Sequence, residues 1–111
     1  MELYNQIESL IKDLKAAVLM LRKTGGEYAE AERDYKILLR EECLKLRDEG
    51  MAIGMIDKVC YGIPSVARAR FERDKKLVIY EANKESINST KTQIRVLENQ
   101  LQREWGADLN D

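Results

Sequence analysis

Residues 65–105 read SVARARFERDKKLVIYEANKESINSTKTQIRVLENQLQREW, and neither glycine nor proline interrupts them. The run is built largely from residues that lose little conformational freedom in a helix. It predicts a single helix of about 40 residues, roughly 60 Å long at 1.5 Å per residue. Pro64 stands at its head, where a helix needs no backbone donor. Just upstream, Gly50, Gly54 and Gly62 are interspersed with Met51, Ile53, Met55, Ile56, Val59 and Cys60. Residues 50–64 therefore predict a short helix near Ile53 to Cys60 and a turn at Gly62-Ile63-Pro64.

Further upstream, Leu3, Ile7, Leu10, Leu14, Ala17 and Leu21 alternate in steps of four and three, the spacing of a coiled-coil seam. Ile11 and Val18 widen that seam into a bundle-type stripe. Thr24-Gly25-Gly26 is expected to close this helix, because glycine readily takes the left-handed conformation of a helix C-terminus. A second helix follows from about Glu27 to Glu49, with Tyr28, Ala31, Tyr35, Leu38, Leu39, Cys43 and Leu46 inward, and Gly50 ends it. The reading is thus all-α and a single domain, 1–111. It comprises an antiparallel helical hairpin (1–49), a short helix and turn (50–64) and a long C-terminal helix (65–105), in an elongated bundle with coiled-coil-like packing.

Each arm of such a hairpin reaches only about 35 Å, so the long helix is expected to overhang it by about 25 Å. The overhanging part is still amphipathic, with Ile87, Ile94, Leu97, Leu101 and Trp105 on one stripe. Earlier in the same helix, Ala67, Phe71, Val78 and Ala82 fall on a side away from Tyr80, so residues 66–82 present two apolar faces. Apolar surface left over by its own fold calls for a partner, most simply a second copy. The expected oligomer interface is Phe71, Val78, Tyr80 and Ile87, continuing through Ile94, Leu97, Leu101 and Trp105. Asn83 and Asn88 lie on or beside this side, where a polar residue can fix register.

Composition closes off several function classes. With 19 Lys+Arg against 20 Asp+Glu the formal charge is -1, which supplies no bulk attraction to nucleic acid or to an anionic membrane. The chain has no histidine, which removes Ser-His-Asp and Cys-His catalysis, the usual zinc sites and the di-iron motif of helical bundles. No glycine-rich phosphate loop follows a strand. The protein is therefore read as no enzyme, with neither metal nor cofactor. Residues 1–4 lack the basic start of an export signal, and no apolar run approaches the ~18 residues of a membrane span. A cytoplasmic protein is expected, with Cys43 and Cys60 as reduced, buried thiols.

The alternative function is a nucleic-acid-binding module using Lys58, Arg68, Arg70, Arg73, Lys75 and Lys76, on a short helix, glycine turn and longer helix. Against it, the five cations of the long helix spread nearly all round the axis, with Glu72 and Asp74 among them. Glu32-Arg33-Asp34 with Lys36 and Glu41 recurs as Glu72-Arg73-Asp74 with Lys76 and Glu81, an echo that could mark equivalent helix surfaces.

The dispersed set Ile56-Asp57-Lys58, Gly62, Arg70, Arg73-Asp74, Tyr80-Glu81, Ile87-Asn88, Lys91, Arg95 and Glu104-Trp105 resembles small helical proteins encoded by phages and prophages of Gram-positive bacteria. It covers residues 50–105. The resemblance implies a virus-derived accessory protein with no assigned active site, working in the host cytoplasm, whose partner is a host or phage protein such as a defence enzyme inhibited by occlusion. The function expected is a non-catalytic, oligomeric helical protein-interaction module.

Overall fold

A computed structural model describes the backbone of residues 2–110 and the side chains up to Gly106; residues 1 and 111, the ends of the expected domain, lie outside it. Three helices make up the fold, with no strand among the described residues: α1 (Glu2–Asp48), α2 (Ile53–Cys60) and α3 (Pro64–Asn110). The all-α class, the short helix at 53–60 and the long C-terminal helix beginning at proline are as the sequence predicts.

The turn expected at Thr24-Gly25-Gly26 is not there. α1 runs for 47 residues straight through it, and neither glycine has a positive φ. The antiparallel hairpin expected within 1–49 is consequently absent. Two features override the local preference for a break. The four-three spacing does not lose phase at the glycines: from Leu21 it continues through Thr24, Tyr28, Ala31, Tyr35 and Leu38, and every one of these is at least partly buried. Gly25 also faces the Tyr80 ring so closely that a Cβ there would stand 3.1 Å from Cε1. The glycine is used for close approach of an aromatic ring.

Gly50 is where α1 does end, with φ of 90°. The Gly50 amide donates to the Arg47 carbonyl at 3.0 Å and the Met51 amide to the Leu46 carbonyl at 3.1 Å, the two bonds of a Schellman closure. Without a Cβ, glycine holds this conformation at little cost.

The chain divides into two compact units. In Thr24–Tyr80, the second half of α1 and the first part of α3 run antiparallel, joined through α2. Tyr35, Cys60 and Val66 form the buried cluster, and Leu38, Leu39, Cys43, Leu46, Ile63 and Ala69 pack against it. All the residues assigned to the inner side of the second predicted helix are thus at least partly buried. Tyr28 and Tyr80 stack with centroids 6.1 Å apart, and the Lys76 ammonium reaches Glu27 at 3.3 Å.

The other unit comprises Met1–Lys23 and Glu81–Asp111. Among its described residues, the buried apolar ones are Ile7, Ile87 and Ile94. Asn83 Nδ2 donates to the Ala17 carbonyl at 3.0 Å, so this polar residue is tied within its own chain; Asn88 is exposed. Of the stripe that was expected to overhang, Ile87 and Ile94 are buried, Leu97 and Leu101 half-buried and Trp105 exposed. Because α1 is as long as α3, at 47 residues each, the length difference that implied an overhang does not exist.

Candidate functional site

Seven apolar residues are buried among the described residues, whereas fifteen large ones are exposed. A pair of antiparallel helices has a single seam to hide, and apolar residues off that seam have nowhere to go. The candidate site is therefore made of surfaces.

In Thr24–Tyr80, Phe71 and Val78 lie one heptad apart on the outer side of α3, 65% and 67% exposed, and Ala67 is exposed beside them. Here the second apolar face read from the sequence is an open one. The Lys75 ammonium lies 5.7 Å from the Phe71 ring centre and pairs with Glu72 at 3.0 Å, which puts a solvated ion pair at the edge of the patch. Elsewhere in the unit, Leu44, Ile53 and Ile56 line a groove of about 260 Å³ with Arg40, Cys43, Arg47 and Asp57.

In the other unit, Leu14, Val18 and Leu19 form an apolar groove with Lys15, and Leu19 is 80% exposed. Thr92, Gln93, Val96 and Leu97 line a second groove. Trp105 is exposed, and Ala82 likewise. Leu19 was not singled out from the sequence, and Ile53 was read only as part of the short helix. Leu19 could have been, since it lies two residues beyond the seam position Ala17, on nearly the opposite side of the helix.

The residues assigned to the oligomer interface separate into three groups. Phe71, Val78 and Trp105 are exposed, and Leu97 and Leu101 are half-buried. Ile87 and Ile94 are buried within their own unit and Tyr80 stacks on Tyr28, which removes these three from a surface a partner can reach without opening the fold.

Four of the six cations in the nucleic-acid reading are engaged within the chain. Arg73 lies over the Tyr35 ring at 4.5 Å and pairs with Asp74 at 2.8 Å. The Asp74 hydrogen bond holds its pKa above the ordinary arginine value, against the opposing effect of burial. Arg70 lies over Tyr61 at 5.7 Å, Lys75 pairs with Glu72, and Lys76 with Glu27. Lys58 and Arg68 are exposed. The repeated Arg-Asp motif makes the same local pair twice, at 3.2 Å for Arg33–Asp34, but only Arg73 is drawn over a ring.

Among the described residues, no group of three or more acidic or cysteine side chains is placed to hold a metal ion. No helix among the described residues is long and apolar enough to cross a membrane. The class the described residues define is all-α, with exposed apolar faces. Comparisons with protein-family models, curated proteins and solved structures give no match.

Proposed function

We propose that the protein is a non-catalytic helical interaction module that associates with a second copy of itself, using the outer side of α3 around Phe71 and Val78. The observation that carries this reading is the pair itself: two large apolar side chains, one heptad apart and each about two-thirds exposed, on a helix whose other side is already occupied. A twofold axis would bring each face against its own copy and bury both rings at once. Opposite charges at the rim, Lys75 and Glu72, suit an isologous contact, because each can meet the other's counterpart.

Sedimentation velocity tests the proposal, with the parent sedimenting as a dimer at tens of micromolar. Phe71→Glu removes apolar burial worth about 2 kcal/mol per side chain, counted twice across a twofold axis, so dimer Kd should rise about a thousandfold. A parent that is monomeric under these conditions refutes the reading. A host or phage protein as second partner rests on the resemblance of residues 50–105, and affinity capture addresses it separately. Nucleic-acid binding is the less favoured reading, since four of its six cations are already occupied.

A further inference from the structure

Cys43 lies on α1 and Cys60 ends α2, 17 positions apart, and the fold brings their Sγ atoms to 3.1 Å. The two thiols differ in access. Cys60 is completely buried, 0% exposed, in the cluster with Tyr35 and Val66, and its thiol donates to the Leu39 carbonyl at 3.7 Å. Burial, reinforced by the hydrogen bond to Cys43, pushes the Cys60 thiol up to about 11. Cys43 is only partly buried and forms a wall of the groove bounded by Arg40, Leu44, Arg47 and Ile53. A small reagent entering that groove meets Cys43, whereas Cys60 is fully buried and does not line it.

We propose that Cys43 and Cys60 are a redox site, a dithiol that a peroxide converts into an intrachain disulfide, with Cys43 attacked first and Cys60 resolving. In the first step the Cys43 thiolate attacks one oxygen of hydrogen peroxide. The O–O bond breaks, an S–O bond forms, and the departing hydroxide takes a proton to leave as water, so Cys43 becomes a sulfenic acid. In the second, Cys60 sulfur loses its proton and attacks Cys43 sulfur; the S–O bond breaks, the S–S bond forms, and the leaving hydroxide is protonated to a second water. The dithiol gives up two electrons and two protons, and the peroxide is reduced to two waters. Closing the bond requires the sulfurs to approach by about 1 Å from their present separation. The bridge ties α2 to α1 covalently.

The experiment treats the whole chain with hydrogen peroxide at neutral pH, denatures it, blocks remaining thiols with N-ethylmaleimide and measures intact mass and the peptide map. The expected product has lost two hydrogens, takes up no maleimide, yields one peptide pair joined through Cys43 and Cys60, and reverts with dithiothreitol. Cys60→Ala should leave a sulfenic acid on Cys43 that dimedone traps, and Cys43→Ala should slow oxidation of native Cys60 by about tenfold or more. Oxygen addition without a crosslink, a disulfide between two chains instead of within one, or thiols that stay unreacted would overturn the proposal. So would Cys60 in Cys43→Ala oxidising as fast as in the parent. If circular dichroism shows either variant unfolded, the parent's own map decides between intrachain bridge and none.

Discussion

Gly25 and Gly26 are adjacent, both helical, and should respond to alanine in opposite ways. At Gly26 nothing lies within 4 Å of an added Cβ, so Gly26→Ala gains only the helix-propensity difference. That is about 1 kcal/mol, or a rise in Tm of roughly 4 °C for a chain of this size. Gly25→Ala gains the same propensity, but its methyl would stand 3.1, 3.4 and 3.6 Å from Cε1, Cζ and Cδ1 of Tyr80. The ring must yield by a few tenths of an ångström, and it is held on its neighbouring side by the stack with Tyr28, at 6.1 Å and 19°. Overpacking against a held ring costs on the order of 1–3 kcal/mol, enough to cancel or reverse the gain. Thermal melts followed by far-ultraviolet circular dichroism should therefore rank Gly26→Ala above the parent and Gly25→Ala at or below it. In a Tyr80→Ala background, Gly25→Ala should become stabilising, since the obstructing ring is gone. Loss of stability in Gly26→Ala would mean that the glycines form a turn after all, and equal gains at both positions would refute the close approach of Tyr80.

At Gly50, where φ is 90°, alanine should cost about 1–2 kcal/mol, seen as a lower midpoint in urea with unchanged slope. Ile56 is buried on α2, so Ile56→Asp places an unpaired charge in the core and should destabilise by about 3 kcal/mol; a variant as stable as the parent would put α2 outside the core. The raised pKa of Cys60 sets an alkaline limit. An unfolded chain loses this proton near 9.0 whereas the fold keeps it to about 11. Its contribution is therefore complete below pH 9 and declines between those values. Melting temperature should fall over that range in the parent and fall less in Cys60→Ala.

Much of the helix pattern was already present in the residues. The short helix at 53–60, Pro64 at the head of α3 and Gly50 at the end of α1 follow from local rules, because each depends on backbone conformations that single residues favour. So does the second apolar face of α3, since the angular positions of Ala67, Phe71 and Val78 depend only on the 100° step of a helix. The continuity of α1 was legible in the unbroken phase from Leu21 through Thr24 to Tyr28. The glycine pair spoke against it, and local propensity alone favours the break by no more than about 2 kcal/mol for two glycines, an amount that packing can outweigh.

What only the tertiary structure decided is which surface covers which. Periodicity shows that Ile87 and Ile94 need cover, but whether α1 or another chain supplies it depends on whether α1 continues through Gly25 and Gly26, which packing along the whole seam decides. Likewise, the 17 positions between Cys43 and Cys60 carry no information about distance. Their contact arises because the connection through α2 folds back on α1, a long-range consequence of where two helices end. A sequence records the preferences of each segment; the partners of its side chains are set by the summed packing of segments distant along the chain.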